Sequence, residues 1–200
     1  MSSRPPLVTT RERLLEAATD SIRNRGFAAT SVDDLCAAVG VTKGAFFHHF
    51  KSKEALGIAV AARWGEIGKQ LIDLVHGTTP RDRVLAYLDL RSQLIEGGTD
   101  EFSCLAGTLA QEVHISHPAI RDAAAQAIET TAATVEPDLA AALTDAGRKG
   151  VSPTGLALHI QAVLQGAYVV AKAKNDAGAA RDSVAHLKRY VAMLLEGEKK

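Results

Sequence analysis

Apolar residues recur at helical spacing in every long segment of the chain, and no segment alternates convincingly with the two-residue period of a β-strand. Proline marks three helix starts, since the first turn of a helix does not need the N–H that proline lacks: Thr79-Pro80, His117-Pro118 and Ser152-Pro153. We predict an all-α fold of about nine helices near residues 10–25, 31–40, 42–50, 53–76, 80–96, 103–115, 118–148, 153–174 and 179–196. Pro137 is expected to kink or split the seventh helix.

Composition narrows the class of protein. Hydrophobic residues make up 46% of the 200 residues, which excludes a disordered chain. No apolar run approaches the length that spans a bilayer and no secretory signal is visible, so we expect a cytoplasmic protein with no membrane partner. Cys36 and Cys104 lie 68 positions apart, which argues against a disulfide framework or a zinc finger. We expect no cofactor and no bound metal.

Charge is distributed unevenly although the net charge is zero. Residues 1–53 carry eight basic and five acidic side chains, a net charge of +3, whereas the remainder has a net charge of −3. This asymmetry is typical of a basic, nucleic-acid-binding head on an acidic body. The asymmetry favours a DNA-binding domain over 1–53, followed by a second, helical domain over 54–200.

The stretch from Val32 to Phe50 has the spacing of a helix-turn-helix. Two apolar pairs at i, i+4 would face the core, Leu35 with Val39 and Phe46 with Phe50, and Gly40 stands where the chain must turn with a positive φ. Ser31 and Asp34 would form a reciprocal capping box at the start of the second helix. The outer surface of the third helix would then consist of Lys43, Gly44, Ala45, Phe47 and His48, which suits a major groove. The alternative is an ordinary corner between two short helices.

The residues over Gly26–Val32 and Ala38–Leu56 resemble the DNA-binding domain of the TetR family of transcriptional regulators. The resemblance covers about residues 10–56. It implies that Lys43, Gly44 and Ala45 lie nearest the base edges of a double-stranded DNA operator. It also implies phosphate contacts from four side chains: Thr42, His48, Lys53 and either Ser31 or Thr30. Phe47 stands where the family commonly has a phosphate-binding Tyr. Arg4, Arg11 and Arg13 could follow the DNA backbone or enter a minor groove. For Arg11 and Arg13 the alternative is a solvated face of the first helix.

Dimerisation is the second implication of the resemblance, since paired heads double the specific contacts on a palindromic site. The last two helices carry apolar stripes that would form a four-helix bundle with a partner: Leu156, His159, Val163, Gly166 and Val170, and Val184, Leu187, Val191 and Leu194. The alternative is that the stripes pack only on their own body. The resemblance favours a homodimer.

The resemblance implies that residues 54–200 form a helical ligand-binding and dimerisation domain. This domain would hold a small-molecule effector, and the resemblance names no particular one. Cys104, in the first turn of the sixth helix, is a candidate sensor, because the positive end of the helix dipole favours a thiolate and Lys172 would add to this effect. It resembles the cysteine of a subset of these regulators that responds to electrophiles or oxidants. Trp64, Gln111 and Tyr168 complete the candidate ligand-binding residues. The alternative is a buried, inert thiol.

Other functions receive less support. His114 and His117 have a spacing that can hold a metal, but Pro118 restricts His117 to an extended conformation outside the helix, as for a capping or surface residue. No nucleophile elbow, phosphate-binding loop, dinucleotide fingerprint or zinc-protease motif is present. We therefore expect a ligand-responsive repressor and not an enzyme; an architectural DNA binder without a ligand is the alternative.

Overall fold

The computed structural model describes residues 8–98 and 101–197, and within these ranges it contains nine α-helices and no strand. The helices are α1 Thr10–Arg25, α2 Val32–Val39, α3 Lys43–His49, α4 Lys53–Gln70, α5 Pro80–Gln93, α6 Leu105–Val113, α7 Pro118–Asp145, α8 Pro153–Lys174 and α9 Ala177–Leu194. A 3-10 turn, Leu71–Leu74, follows α4. The all-α prediction is confirmed. The main differences are that α4 through α7 end two or more residues earlier than expected.

Side-chain caps define most helix starts. Thr9 and Glu12 form a reciprocal capping box at α1, in which Glu12 accepts from the Thr9 N–H at 2.8 Å. At α2 only half of the expected box is present: Ser31 accepts from the Asp34 N–H, but the Asp34 carboxylate lies 3.9 Å from Arg25 instead. An aspartate is one methylene shorter than the usual glutamate of this motif, which accounts for the missing return bond.

The first hydrophobic core joins the head to the rest of the chain. It contains Leu14 and Ile22 of α1, Leu35 of α2 and Phe46 of α3, all nearly inaccessible to solvent. The same core continues through α4, α6 and the first half of α7. The packing is therefore not divided at residue 53, and the head rests on a helical platform that belongs to the body.

Two glycines of α4 let that helix approach α7 closely. A Cβ on Gly65 would lie 3.0 Å from the Cα of Ala127, and one on Gly68 would lie 2.2 Å from Oγ1 of Thr131. Any side chain at Gly68 would therefore push the helices apart. This contact fixes α4, which begins directly after the head, against the longest helix of the body.

The second core is formed by α5, α7, α8 and α9. Pro137 lies inside α7 without splitting it, since the helix is continuous over 28 residues. By length and composition α8 alone among the described helices could cross a membrane, with a mean hydropathy of 1.3, so the expectation that no run approaches that length is wrong. Of the 18-residue window of α8 that has this hydropathy, 44% is buried inside the protein, as expected for a helix that packs in a core.

Candidate functional site

The turn between α2 and α3 has the geometry that a helix-turn-helix requires. Gly40 adopts φ 69° and ψ 43°, the left-handed conformation in which a side chain is strained. A Cβ at this position would meet nothing within 4 Å, so the backbone conformation and not space explains the glycine. The N–H of Val41 donates back to the carbonyl of Cys36 at 2.9 Å, which closes the turn.

The outer surface of α3 is accessible. Lys43, Gly44, Phe47 and His48 are exposed and Ala45 is half-buried, while Phe46 is fully buried beneath them. Nζ of Lys43 lies 2.8 Å from Oδ1 of Asp33. The hydrogen bond to Asp33 and the attraction of its charge raise the pKa of Lys43. Because both side chains are well exposed, water screens this pair, and it is weak enough to open when a stronger partner approaches.

The expected phosphate-contacting residues fall into two groups. Thr42 and Ser31 are exposed N-caps whose hydroxyls already accept from Ala45 N–H and Asp34 N–H. Thr30 is only 1% exposed, and its hydroxyl is bonded to the carbonyl of Gly26 and to the Ser21 hydroxyl. Naming Thr30 as a phosphate contact was therefore wrong, because its side chain stabilises the turn after α1.

Lys53 is more constrained than a free surface lysine. Its ammonium lies 4.4 Å from the centre of the Phe27 ring and donates to the carbonyl of Ala28 at 3.2 Å. Burial lowers the pKa of Lys53, although the charge of Glu112 works in the opposite direction. The side chain is thus held in place at the edge of the head.

Two arginines of α1 take part in the head's own structure. A guanidinium nitrogen of Arg13 donates to the carbonyl of Val39 at the end of α2. The guanidinium of Arg11 lies 5.3 Å from the centre of the Phe50 ring. Arg4, the third candidate for the DNA backbone, lies outside the described residues.

A cavity of about 250 Å³ lies between α4, α5, α7 and α8. Most of its lining is apolar: Trp64, Ile67, Leu71, Leu94, Phe102, Ala106, Ala127 and Ile128. The segment 101–104, which precedes α6, forms one wall. Of the predicted ligand-binding residues, Trp64, Cys104 and Tyr168 line this cavity.

A second cavity of about 350 Å³ adjoins the first. It is lined by the remaining predicted residues, Gln111 and Lys172, and shares Cys104 and Tyr168 with the first cavity. Cys104 is half-buried and is the N-cap residue of α6, so it lies one position before the first turn and not within it as predicted. The five residues proposed from sequence therefore surround two neighbouring cavities that meet at Cys104.

Sequence reasoning missed the polar end of the first cavity. Arg91 is only 8% exposed, and its guanidinium donates to the hydroxyls of Tyr87 at 3.0 Å and Tyr168 at 3.2 Å. Gln161 also donates to Tyr87, at 3.1 Å. Burial lowers the pKa of Arg91, but the tyrosines outweigh it and raise the pKa overall. The sequence does contain a signal for Arg91, because this charged residue occupies the next position in the buried helical stripe of Val84, Tyr87 and Leu88.

Hydrogen bonds join the wall of the cavity to the head. Nε of Arg23, in the last turn of α1, donates to the carbonyl of Ser103 at 2.9 Å, and a second nitrogen donates to the carbonyl of Glu101. The same guanidinium lies 5.3 Å from the centre of the Trp64 ring, in the cavity wall. Lys172 donates to the carbonyl of Arg23 at 3.1 Å. The end of α1 is thus fastened to both cavities.

Glu112 forms a second connection between head and body. From α6, its carboxylate accepts from the N–H groups of Phe27 at 2.5 Å and Ala28 at 2.8 Å. The chain reaches this position through Gly26, where φ is 88° and a Cβ would lie 2.8 Å from the carboxylate. The loop between α1 and α2 is therefore held by a side chain of the body.

The outer face of α8 and α9 is apolar and uncovered. Its most exposed members are Leu158, Val169, Val170, Tyr190 and Met193, at 42–62% exposure. Of the predicted interface residues, His159, Gly166 and Val170 are exposed and Val163 is half-buried. Four others, Leu156, Val184, Leu187 and Val191, are buried in the chain's own core, and Leu194 packs against that core. Placing the four buried residues at an interface was wrong, because Leu156 and the stripe of Val184, Leu187 and Val191 face inward.

Of the two histidines that precede α7, one is a helix cap and the other is a surface residue. His117 is the N-cap residue of α7, and its ring packs edge-on against Phe27 with centres 5.2 Å apart. Within the described ranges no group of three potential metal ligands is present. His114 is exposed at the end of α6.

A compact α2–turn–α3 unit with an exposed basic outer surface, set on a helical body with an internal cavity, defines a helix-turn-helix regulator. Residues 14–60 match the family model described as bacterial regulatory proteins, tetR family. Residues 80–187 match that of the tetracyclin repressor-like C-terminal domain. The chain belongs to the TetR family, whose members are DNA-binding transcriptional regulators and not enzymes.

Curated relatives match over part of their length. The transcriptional repressor NemR of Escherichia coli strain K12 is 35% identical over 108 residues, which are 52% of this chain and 54% of the relative. The repressor DhaR of Mycobacterium sp. strain GP1 is 45% identical over 47 residues, 24% of each chain. The chain thus spans about half the length of NemR in this match.

Solved structures match over most of the chain. The reduced form of E. coli NemR is similar with a TM-score of 0.75 and 28% identity, covering 90% of this chain and 96% of that one. A TetR transcriptional regulator from Chloroflexus aurantiacus is similar with a TM-score of 0.79 and 26% identity, covering 91% and 93%. Both head and body therefore share the arrangement of known regulators of this family.

Proposed function

We propose that this protein is a ligand-responsive repressor that acts in the cytoplasm, binds a palindromic operator as a homodimer, and is released by a small molecule that enters the cavity at Cys104. The observation that carries the proposal is the direct bonding of the cavity wall to α1 of the head, through Arg23 and the carbonyl of Ser103. A change in the wall displaces the element on which the helix-turn-helix packs.

DNA recognition rests on the exposed surface of α3. Lys43, Gly44 and Ala45 approach the base edges. Because Gly44 and Ala45 are small, the backbone of α3 can lie close to the bases in the major groove. Phe47 is 52% exposed and has no hydroxyl for a phosphate, so it contacts a sugar or a thymine methyl instead. Thr42, Ser31, His48 and Lys53 contact phosphates and supply most of the affinity, which therefore falls with salt.

Dimerisation uses the outer face of α8 and α9. The exposed members on α8, Leu158, Ala162, Gly166, Val169 and Val170, follow one helical stripe, with Tyr190 and Met193 beside them on α9. A Cβ on Gly166 would meet nothing within 4 Å, so the glycine leaves room on the outside for a second copy. Two such helix pairs form the four-helix bundle expected from sequence.

The release step follows from the position of Cys104. Cys104 lines both cavities, and it directly follows Ser103, whose carbonyl accepts from Arg23. An adduct on the thiol fills space beside the wall, and the displaced wall shifts α1 and with it the spacing of the two heads. NemR is known in a reduced form, which supports a redox- or electrophile-responsive side chain in a related fold. A typical coupling of about 1–3 kcal/mol changes operator affinity by about 5- to 150-fold.

The operator is first obtained by selecting bound DNA from a random pool with the full-length protein. Fluorescence anisotropy then measures its affinity before and after treatment with iodoacetamide, with mass spectrometry to locate the adduct. We expect the treated wild type and the treated Cys36→Ala variant to lose affinity, because Cys36 is buried in the head. Cys104→Ser should remain insensitive. Alkylation of Cys104 without a change in operator affinity would show that this thiol is only a packing residue.

A further inference from the structure

The guanidinium of Arg91 is a buried charge with neutral partners only. It donates to the hydroxyls of Tyr87 and Tyr168 and lies 5.8 Å from the centre of the Tyr87 ring, and it forms no ion pair with a carboxylate in residues 8–98 or 101–197. Two other charged residues of α5 have an oppositely charged partner: Arg83 lies 2.9 Å from Asp138, and Asp89 lies 2.6 Å from Lys188. Arg83 and Asp89, two half-exposed charges of this helix, have an ionic partner, whereas the buried Arg91 has none among the described residues.

This arrangement costs the folded protein stability, since a charge removed from water needs an opposite charge or a full set of hydrogen bonds. Two hydroxyls satisfy only part of the five N–H groups of a guanidinium. Because an apolar residue would fill the position at lower cost, the charge points to a use in the cavity that it faces.

Both polar and apolar side chains line the cavity beside Arg91. Tyr168 accepts from Arg91, and Gln161 shares the Tyr87 hydroxyl with it, while Trp64 and Phe102 are among the apolar lining residues. Two further charged residues line the cavity. Arg23 is held by backbone carbonyls of the wall, and Glu101 is exposed with its carboxylate beside Gly97. A volume of about 250 Å³ admits only a small molecule.

We propose that the cavity binds a small organic anion, a carboxylate on a compact apolar body, with the carboxylate paired to the guanidinium of Arg91. A carboxylate matches the planar, two-pronged geometry of a guanidinium, and Tyr168 and Gln161 lie close enough to add hydrogen bonds. The apolar body lies against Trp64 and Phe102, beside Cys104. This inference rests on the proposed function, since it names the class of effector that the regulator takes.

The test compares three probes that share one ring and differ in charge: benzoate, benzamide and benzylamine. Isothermal titration calorimetry on the full-length protein, without DNA, measures the affinity of each. A charge-assisted hydrogen-bond pair predicts that benzoate binds about 10- to 100-fold more tightly than benzamide, and benzylamine most weakly. Equal affinities of wild type for benzoate and benzamide, or no binding of either, would overturn the proposal without any variant.

Variants then locate the anion. Arg91→Met should abolish the preference for benzoate, and Arg91→Lys should keep part of it. The matched control is Arg83→Met, on the same helix but in a surface pair, which should bind benzoate as wild type does. A thermal melt of each variant shows that it is folded. Retention of the benzoate preference in folded Arg91→Met would also overturn the proposal.

The outcome is separable from that of the proposed function. If benzoate binds through Arg91 but iodoacetamide leaves operator affinity unchanged, the anion site stands and the proposed release through Cys104 is wrong. If iodoacetamide releases the operator but benzoate shows no preference over benzamide, the release stands and the anion site is wrong.

Discussion

Nε of Arg23 donates a hydrogen bond of 2.9 Å to the carbonyl oxygen of Ser103, although the two residues are 80 positions apart in the chain. Arg23 belongs to the last turn of the helix that supports the DNA-reading unit, and Ser103 lies next to Cys104 in the wall of the cavity. In turn, the Ser103 hydroxyl donates to the carbonyl of Arg23 at 3.5 Å. One short segment therefore both lines the cavity and is bonded to the head.

The first prediction removes this connection. Arg23→Met keeps the stem of the side chain against Trp64 but cannot donate to the wall. Operator affinity of the untreated protein should change little, whereas the loss of affinity on alkylation should shrink from the 5- to 150-fold range to below about threefold. The ratio of dissociation constants before and after treatment, from anisotropy, measures this.

Arg25→Met is the matched control for Arg23→Met. Arg25 lies in the same turn, but its side chain is exposed and bonds to Ser21 and Asp34 within the head. Its response to alkylation should equal that of wild type. If Arg23→Met responds as fully as this control does, the signal travels by another path.

The second prediction separates base recognition from phosphate binding on α3. Lys43→Ala should relax the base preference of the selected operator, since the lysine lies on the outer surface near the base edges. Asp33→Asn should leave that preference in place and strengthen binding slightly, because it frees the ammonium from its partner at 2.8 Å. Binding to a panel of operators with single base changes measures both. Unchanged discrimination in Lys43→Ala would show that another element reads the bases.

Lys53→Ala tests the phosphate contact in a different way. Binding should weaken to a similar extent on every sequence, and the slope of log affinity against log salt should flatten by about one unit. Lys69→Ala, at the exposed end of α4, serves as the control and should leave the slope unchanged. If the salt slope of Lys53→Ala equals that of wild type, the ammonium is needed only for its contacts with Phe27 and Ala28.

The third prediction concerns the outer face of α8. Val170→Glu places a charge on an apolar surface that two copies would bury, so the dimer should dissociate into monomers in sedimentation velocity experiments. Ile115→Glu is the matched control, because Ile115 is 82% exposed and lies outside this face. A dimer that persists equally in both variants would locate the interface elsewhere.

The helices were predictable because local signals specify them. Proline and Ser or Thr caps at Thr79 and Ser152 start helices as expected, and Gly40 ends α2 in the conformation that only glycine adopts easily. Tertiary relations were less accessible. The stripe of Val184, Leu187 and Val191 is equally apolar whether it faces its own body or a partner, so its periodicity could not identify the interface.

The polar contacts of the site were missed for a related reason. Glu112 and Arg23 form hydrogen bonds with residues about 80 positions away, and no local spacing in the sequence indicates such a bond. Thr30 was assigned to DNA because it adjoins an exposed cap, but its hydroxyl turns inward to the carbonyl of Gly26. The cavity residues were partly found, since Cys104 and Tyr168 are chemically distinctive in a body with few aromatic residues.

The fourth prediction tests the support of the head by α6. Glu112→Ala leaves the N–H groups of Phe27 and Ala28 without their carboxylate, and Phe27 is buried. An unsatisfied donor of this kind costs about 1–3 kcal/mol, so the free energy of unfolding in urea should fall by about that amount. Glu66→Ala, at an exposed position of α4, should stay within about 0.5 kcal/mol of wild type. Glu112→Gln should lie between them, because its amide oxygen can accept from one of the two N–H groups. Equal stability of Glu112→Ala and Glu66→Ala would mean that water replaces the carboxylate at no cost, and that the loop after α1 is held by the Phe27 ring alone.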